Sequence, residues 1–395
     1  MGVLISGASI AGPVLAFWLT RHGFEVTVVE RAPALRKTGG HAVDLFRPAM
    51  DIVERMGLLP EVLARETGTD RLTVQTPGAR PVDIDLRRLF SAMSDRHLEI
   101  MRDDLSEVFY NATRDDVEYV FGDSITSISA DGEVTFEHGA PRRFDLVIGA
   151  DGLHSNVRRL VFGEVPHHFI GGYLAVLSLP KNFSKPNHTF LRVGAGRMAG
   201  VYTADHLPDA RAVFLFRSGE LEYHYRDVDR QRRLLREAFA GMPEVSAWLV
   251  EDGSFYFDSI TQLRVDTWSR GRVALVGDAG YCPGPAVGGS TSLAVVGAYV
   301  LAHELAAHRD HAAGFAAYER EMGDYVRRSR AFALTAAKRL LPDSRLDLWL
   351  LRNGARLVSR LPVSVGRAAA RLNRNGVRLH DEVRVKAYPA PTKSA

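Results

Sequence analysis

The sequence contains almost no cysteine and no pattern that would bind a metal ion. Its single cysteine, Cys282, excludes disulfide bonds within the chain and is typical of a protein from a reducing cytoplasm. Cys and His residues do not occur at metal-ligand spacing, so we predict no metal site. Internal repeats and the signatures of nucleic-acid-binding folds are missing too, and we expect no nucleic acid partner. The remaining composition, 46% hydrophobic and 25% charged residues, is that of an ordinary globular protein long enough for two packed units.

Charge is missing from residues 2–20, a feature that membrane-spanning and secretory segments share. A spanning helix needs about 20 apolar residues, and a signal peptide starts with basic residues. Here Gly7, Gly12 and Pro13 interrupt the apolar run, no Lys or Arg precedes it, and a second apolar segment follows closely. We therefore predict a folded, cytoplasmic protein without a transmembrane segment.

The first 30 residues have the pattern of a strand, a helix and a second strand. Apolar residues 3–5 and 25–29 predict the two strands, and the small residues 7–12 predict a tight turn into a helix of about ten residues. Such a turn lets the backbone approach a pyrophosphate, towards which the helix points its free N–H groups. Glu30 stands where a ribose-binding acid is expected. The motif is typical of a dinucleotide site, although a glycine-rich turn without a ligand has the same local pattern.

Two later stretches repeat the pattern of a buried strand that ends in small residues and an acid. In DLVIGADGLHSNVRRLVFG, a strand at 146–149 runs into Asp151 and a helix. In GRVALVGDAGYCPGPAVGG, a strand at 273–276 runs into Gly277 and Asp278, and the glycine-rich turn that follows opens a long apolar helix. Because an α/β sheet presents ligands at the carboxyl ends of its strands, we predict that these separated pieces assemble one cofactor site.

The rest of the chain changes character twice. Short aromatic and β-branched segments between 165 and 265 predict a largely antiparallel sheet, to which residues 71–86 add strands. Helices follow from about residue 290. From residue 327 onward, sixteen Lys and Arg face four Asp and Glu, so this end carries +12 and the first 326 residues carry −9 of the net +3. Amphipathic helices with a solvated basic face explain this balance, and contact with an anionic membrane stays open.

The three motifs together resemble the single-component FAD-dependent aromatic hydroxylases of the para-hydroxybenzoate hydroxylase type, which include the tetracycline-inactivating flavin monooxygenases. GASIAG with Glu30, DGLHSNVR with Asp151 and GDAGYCPGPAVGG with Asp278 occur in that family's order, over roughly residues 1–310. The resemblance implies an α/β fold: a Rossmann-like FAD-binding domain, an inserted β-sheet substrate domain and C-terminal helices. We assign residues 1–70, 97–164 and 266–325 to the FAD-binding domain, 71–96 and 165–265 to the substrate domain, and 326–395 to a basic helical segment.

The resemblance also implies which residues hold FAD. Arg102 closes the strand LEIMR and precedes a helix that we expect Asp103 to cap. Arg47 and Arg102 are also compatible with surface or ion-pair roles, and Asp151 with a structural role in its turn. The implied FAD-binding residues are Gly7, Ser9 and Gly12 at the pyrophosphate, with Ile10 and Ala11 in the same turn; Glu30 at the adenosine ribose; Arg31 at the adenine or the phosphates; Arg47 on the flavin side; Ile125, whose backbone would contact the adenine; Asp278 at the ribityl chain; Pro285, Gly288 and Gly289 beside the flavin ring; and Arg102, Asp151 and Gly277 without a more specific place.

Some positions depart from the family pattern. Ser9 replaces the second glycine of the first turn, and it is small enough to keep that turn close to a phosphate. Relatives usually read GDAAH where this chain has Gly280 and Tyr281 after Ala279. Further departures are Ser290, Ser292 and Gly297, in place of a glycine, an asparagine and an acid. We expect the phosphate and ribityl contacts to survive, while Tyr281 and Cys282 serve packing near the flavin.

The resemblance implies an enzyme whose oxidant forms on the cofactor. NAD(P)H would reduce FAD, O2 would add to give a C4a-hydroperoxide, and one oxygen atom would pass to a small aromatic or polycyclic compound. No catalytic side chain is certain. His41 is compatible with a proton acceptor, a polar pocket wall or a surface histidine. Arg192, Tyr202 and Phe214 line the substrate cavity if the alternation of their strands points inward, and otherwise belong to the core.

Other functions of the same scaffold stay open. An epoxidase or a prenyl reductase would use the same cofactor site, and a basic amphipathic tail suits a membrane-held substrate. A flavoprotein without catalysis would have lost the flavin-facing turn, which is present here. The sequence does not distinguish NADH from NADPH, a monomer from a homodimer, or one substrate from another.

Overall fold

The computed structural model describes residues 1–35, 40–86, 96–224, 226–284, 289–342, 344, 346–350, 353–354, 383 and 385–389. Its helices are α1 (Ala11–Arg21), α2 (Arg47–Arg55), α3 (Leu59–Leu63), α4 (Arg102–Asn111), α5 (Asn156–Phe162), α6 (Val228–Phe239), α7 (Asp278–Tyr281), α8 (Ser290–Ala307) and α9 (His311–Leu340). Its strands are β1 (Gly2–Ser6), β2 (Glu25–Glu30), β3 (Ala42–Phe46), β4 (Arg71–Gln75), β5 (Val82–Asp85), β6 (His97–Met101), β7 (Glu118–Phe121), β8 (Ile125–Ile128), β9 (Glu133–Phe136), β10 (Arg142–Arg143), β11 (Leu146–Gly149), β12 (His167–Pro180), β13 (His188–Gly194), β14 (Arg197–Tyr202), β15 (Asp209–Arg217), β16 (Phe255–Leu263), β17 (Ser269–Arg270) and β18 (Val273–Leu275).

A six-stranded sheet carries the three motifs in adjacent positions. Its order is β17-β18-β11-β1-β2-β7, and all neighbours except β17 and β18 run parallel. The central strands are apolar along their length because helices cover both faces of a parallel sheet. The strands predicted at 3–5, 25–29, 146–149 and 273–276 are all present, the last ending at Leu275. The three motifs therefore end side by side at one edge of the sheet.

A seven-stranded sheet forms the second layer. Its order is β16-β12-β15-β14-β13-β4-β5, and every pairing is antiparallel except that of β13 with β4. The segments predicted at 71–86 and 165–265 thus contribute to one sheet. The predicted domain boundaries assign these strands to one substrate domain. These boundaries stay a prediction.

The two faces of the seven-stranded sheet have different neighbours. We call outer the face whose side chains pack against α6 and the 3-10 turn Pro243–Trp248; it includes Phe214. We call inner the opposite face, whose Tyr202 contacts Ala42 of β3 and Met101 of β6. β3 and β6 pair with each other and lead into α2 and α4. The inner face is therefore the one that meets the cofactor side.

Helix α8 is the long apolar helix predicted after the third motif. By length and composition it is the one helix, among the described residues, that could span a membrane, and 78% of its apolar window is buried. It packs between α1 and α9, with Val295, Val296 and Leu301 in the main core. The helix is a core element of this fold.

Helices continue the chain towards its C-terminus as expected, and α9 runs to Leu340. Leu341 packs on the inner face of the seven-stranded sheet. Far along the chain, Val383, Val385 and Tyr388 pack against the core on the other side, next to α8. Most of 343–382 lies outside the described residues.

Candidate functional site

The first motif forms a turn that leaves no room for larger side chains. Gly7 has φ +111°, and a Cβ there would lie 2.5 Å from the carbonyl oxygen of Ala150. A Cβ on Gly12 would collide with the carbonyl oxygen of Gly7. Ile10 precedes the helix and Ala11 begins it, so the first-turn N–H groups of α1, which have no partner within the helix, lie at this turn. The geometry fits a pyrophosphate held by backbone groups.

Glu30 stands beside this turn. Its Oε2 accepts a hydrogen bond from Ala8 N at 3.0 Å, and its Oε1 accepts one from Ala32 N at 2.9 Å. The carboxylate thus reaches from the end of β2 to the loop that follows β1. Arg31 is exposed on the bend after β2. Each carboxylate oxygen accepts one backbone hydrogen bond, and the ribose contact of Glu30 stays a prediction.

The second motif uses its acid to build its own turn. Asp151 Oδ1 accepts a hydrogen bond from Ser155 Oγ at 2.5 Å, and Oδ2 accepts from the backbone N–H groups of Asn156 at 2.8 Å and Val157 at 3.1 Å. Both carboxylate oxygens therefore hold the start of α5, so the FAD contact predicted for Asp151 is not what the geometry favours. The carbonyl of Ile125 accepts from Asn156 Nδ2 at 2.5 Å, which ties β8 to the same turn.

The third motif meets the first. A Cβ on Gly277, which has φ +66°, would lie 3.3 Å from Ala11 Cβ and 3.4 Å from Ala294 Cβ. Asp278 follows in the first turn of α7. Burial raises the pKa of the Asp278 carboxyl, and the positive charge of Arg102 opposes that shift. Arg102 Nη2 also donates to Ser9 Oγ at 3.3 Å, so one guanidinium faces both motifs.

The flavin-facing turn is described only at its end. Pro285 and Gly288 lie outside the described residues, and Gly289, with φ +87°, precedes α8. Ser292 in the first turn of α8 ties this helix to β3: its Oγ accepts from Phe46 N at 3.0 Å and donates to Asp44 O at 3.3 Å. Arg47, the first residue of α2, follows β3 directly and thus lies next to the start of α8.

His41 is half-buried between Arg102 and Tyr256. Its carbonyl accepts from Arg102 N at 3.1 Å, and its ring lies 6.2 Å from the ring of Tyr256 on the inner face. Burial lowers the pKa of His41 to about 4, and Arg102 acts in the same direction. Burial and the nearby Asp258 raise the pKa of Tyr256 well above its usual range. At neutral pH the pair is therefore an uncharged imidazole and a protonated phenol.

The departures at Tyr281 and Gly297 fit each other. Tyr281 is fully buried, its OH lies 2.9 Å from Tyr318 OH, and a Cβ on Gly297 would collide with that OH. Cys282 is also buried and donates weakly to Thr261 O at 3.8 Å. Both residues pack as the sequence predicted.

The three predicted substrate residues do not lie together. Tyr202 is on the inner face, where its OH accepts from Ala42 N at 2.7 Å. Phe214 is on the outer face, 5.1 Å from Phe239 of α6. Arg192 is also on the outer face, with its guanidinium over Phe190. Arg192 and Phe214 therefore lie on the opposite face of the sheet from Tyr202, so the three side chains do not share one cavity wall.

For several residues near the site, the sequence did not reveal the contacts that they make. Asp103 lies inside the first turn of α4 and does not cap it; Met101 precedes the helix, and Asp103 Oδ2 accepts from Gly40 N at 2.8 Å. Arg211 and Tyr256 reach the site from the inner face, far from the motifs in sequence. Only the pairing of the strands reveals them.

These pieces define the class of the protein: a dinucleotide-cofactor protein whose cofactor cradle opens onto a separate β-sheet. The cradle fits FAD because a glycine turn, the carboxylate of Glu30, the guanidinium of Arg102 and the carboxylate of Asp278 converge along one edge of the parallel sheet. The inner face of the seven-stranded sheet closes the other side, at Tyr202 and Tyr256.

The chain belongs to the FAD binding domain family, whose model matches residues 1–333. An uncharacterized protein of Mycobacterium tuberculosis is 44% identical over 347 residues, which are 83% of this chain and 91% of that protein. A flavin-dependent monooxygenase of Legionella longbeachae is 34% identical, covering 86% of this chain and 89% of the relative. Among solved structures, tetracycline destructase Tet(55) matches with TM-score 0.82 and 31% identity over 98% of both chains.

The predicted family, fold and FAD cofactor are thereby confirmed. The protein is an oxidoreductase, an FAD-dependent monooxygenase of the aromatic hydroxylase family, which acts on a small molecule with O2.

Proposed function

We propose that the protein uses NAD(P)H and O2 to hydroxylate a small aromatic or polycyclic compound. One observation carries this proposal: Arg102, a predicted cofactor residue, adjoins both His41 and Tyr256. Tyr256 also adjoins Asp278, the second predicted cofactor residue here, and it lies on the inner face of the seven-stranded sheet. The substrate would lie between that face and the flavin.

The residues around the cradle would hold FAD by its pyrophosphate, ribose and ribityl groups. Gly7, Ser9 and Gly12 would face the pyrophosphate, Glu30 the ribose, and Arg102 and Asp278 the part between pyrophosphate and flavin. FAD, when bound, supplies the redox chemistry: it takes two electrons from NAD(P)H and passes one oxygen atom of O2 to the substrate, the other leaving as water. The protein's own task is to position the substrate ring and to keep water away.

His41 and Tyr256 would orient the substrate's polar groups. An imidazole with a pKa of about 4 is a weak base, so we assign His41 a hydrogen-bonding role rather than that of a strong proton acceptor. Tyr256 stays protonated and can donate. A phenol or enol group of the substrate is the partner that fits this uncharged pair.

Polycyclic substrates are the first to test, because the whole chain matches a tetracycline destructase in fold at 31% identity. The purified, FAD-loaded protein should be assayed aerobically for NADH and NADPH oxidation with phenols, polycyclic aromatics including tetracycline, and prenyl compounds. We expect a compound that both accelerates oxidation and gains one oxygen atom by mass spectrometry. Hydrogen peroxide alone, or a hydrogenated product, across the whole panel would count against a hydroxylase.

Cofactor binding by Arg102 can be tested without a substrate. Arg102→Met should lower the affinity for FAD about tenfold, because it removes a charge-assisted contact. The absorbance of the flavin that stays bound after gel filtration measures this loss. Arg65→Met is the matched control, because Arg65 faces Glu107 of α4 at 3.7 Å, near the surface. Equal flavin content in both variants would contradict a contact between Arg102 and FAD.

A prenyl epoxidase or reductase is the second candidate. It is favoured by one observation: Leu346, Trp349 and Leu350 are 64%, 57% and 52% exposed within the basic C-terminal segment. Exposed apolar groups beside excess positive charge suit an anionic membrane surface, where a prenyl substrate would reside. Sedimentation with anionic but not neutral liposomes would support it, and a protein that stays in the supernatant would favour the hydroxylase.

A further inference from the structure

Residues 40–42, which carry His41, are attached to both sides of the site by hydrogen bonds; we call them the 40–42 segment. On the cofactor side, Gly40 N donates to Asp103 Oδ2 at 2.8 Å, and Arg102 N donates to His41 O at 3.1 Å. Gly40 packs so closely there that a Cβ would lie 2.6 Å from Asp103 Oδ1. The segment is thus hydrogen-bonded to the first turn of α4, the helix that also presents Arg102.

The inner face of the seven-stranded sheet holds the same segment with two side chains. Arg211 Nε donates to Gly40 O at 3.2 Å, and Tyr202 OH accepts from Ala42 N at 2.7 Å. Tyr202 and Arg211 are direct cross-strand partners on β14 and β15. Both are nearly inaccessible, with 7% and 3% of their surface exposed, so water does not compete for these bonds.

The charge of Arg211 has counterions nearby. Asp209, two residues earlier on β15, forms an ion pair with it, and Asp103 lies within range of its field. Arg211 is therefore a fixed, buried cation whose Nε is directed at the backbone carbonyl of Gly40. A flexible surface arginine would lose more conformational entropy in making the same contact.

We infer that Tyr202 and Arg211 are positioning residues, which fix the 40–42 segment to the substrate sheet and thereby set the distance of His41 from the flavin. This inference rests on the proposed function for its effect on catalysis. Because a misplacement of about 1 Å can cost about 100-fold in rate, a loosened segment should lower oxygen transfer more than flavin reduction.

The test variant is Tyr202→Phe, which removes the acceptor of Ala42 N and keeps the ring. Tyr173→Phe is the matched control, because Tyr173 OH accepts from Leu221 N at the same 2.7 Å, on the outer face of the same sheet. Arg211→Lys keeps the positive charge and removes the Nε donor to Gly40 O, so it tests that hydrogen bond. It is less disruptive to the fold than a variant that also removes the charge.

The first measurement is hydrogen exchange of peptides covering 40–46 in the FAD-loaded protein, which needs no substrate. We expect the exchange of these peptides to be about fivefold faster, or more, in Tyr202→Phe than in wild type, and unchanged in Tyr173→Phe. Unchanged exchange in Tyr202→Phe would overturn the inference, whatever the substrate of the enzyme is.

The second measurement is the oxygenated product formed per NAD(P)H consumed, with tetracycline as the first probe and then any panel compound that gains oxygen. We expect this ratio to fall about fivefold or more in Tyr202→Phe, with peroxide rising, whereas Tyr173→Phe should keep the wild-type ratio and rate of NAD(P)H oxidation. Faster exchange with an unchanged ratio would overturn the positioning role. A wild-type protein that oxygenates no compound would instead contradict the proposed function and leave the exchange result to decide the inference.

Discussion

At the scale of single residues, glycines decide where the three motifs can meet. Gly7, Gly12 and Gly277 each lie where a larger side chain would meet backbone or a neighbouring helix. Ser9, which departs from the usual glycine, faces the guanidinium of Arg102 instead. The cofactor turn therefore accommodates a small polar side chain at position 9, where that side chain faces Arg102.

Gly297→Ala should destabilise the protein by about 1–3 kcal/mol, because its new Cβ collides with Tyr281 OH in a close-packed core. Tyr281→Phe alone should lower stability by about 1 kcal/mol through the lost hydrogen bond with Tyr318. The double variant should recover part of the Gly297→Ala loss, as measured by urea unfolding at pH 7. Strictly additive losses would contradict a direct contact between the two positions.

At the scale of elements, the C-terminal residues 385–389 act as a strap across the outside of α8. Lys386 Nζ and Tyr388 OH both donate to Glu304 Oε1, at 2.7 and 2.6 Å, and Glu304 is only 2% exposed. The Tyr388 ring stacks on His303 at 4.7 Å. Burial by itself would raise the pKa of Glu304, but the bonds from Lys386 and Tyr388 outweigh it and lower that pKa.

Tyr388→Phe together with Lys386→Met should release the strap, since the buried Glu304 carboxylate loses both donors. We expect a loss of about 1–3 kcal/mol in urea unfolding and faster proteolysis near the C-terminus. Lys185→Met, which removes a positive charge at an exposed position, is the control for the change of charge. Because the lowered pKa of Glu304 contributes stability above its usual value of 4.5, the difference between variant and wild type should shrink as the pH falls below that value. A difference that persists unchanged at pH 3.5 would contradict the role of the ionised carboxylate.

At the scale of the whole molecule, buried histidines make the fold sensitive to acid. Burial lowers the pKa of His41 and of His303 to about 4, from an ordinary 6.5, and it also lowers those of His22 and His167. Below pH 6.5 these histidines are therefore protonated in the unfolded chain while they remain neutral in the folded chain. Stability is lost as the pH falls through this window.

We expect the free energy of unfolding to decrease between pH 6.5 and 4.5, by roughly 1.4 kcal/mol per pH unit for each fully shifted histidine. His303→Gln should reduce this slope by about one proton, and His138→Gln, which replaces a histidine at an exposed position, is the control. Urea titrations at several pH values measure both slopes. Equal slopes in wild type and His303→Gln would contradict the assignment.

FAD should stabilise the molecule as a whole because its cradle is built from three separated parts of the chain. At a free FAD concentration about 100 times the dissociation constant, we expect about 2.7 kcal/mol of added stability. Thermal unfolding with increasing FAD should raise the midpoint, and Asp278→Asn should require more FAD for the same rise. A midpoint that FAD leaves unchanged would mean that the folded protein does not bind it preferentially.

The sequence by itself determined the local patterns. The apolar strands, the glycine turn before α1, the acids at strand ends and the antiparallel middle sheet are all read from neighbouring residues, because period, charge and small side chains act over a few positions. The motifs also sufficed for the family and the cofactor. Pro285 and Gly288 follow from the same motif and lie outside the described residues.

Only the tertiary structure decided which side chains face the site. A period of two fixes that Tyr202 lies opposite to its strand neighbours, but not which face of the sheet meets the cofactor, so the sequence left the face of Arg192 and Phe214 open. Arg211 lies 171 residues from Gly40, whose carbonyl it holds, and no local pattern connects them. Asp151 shows the same limit, because a carboxylate at a strand end can bind a ligand or its own helix, and only the packed turn shows that it binds the helix.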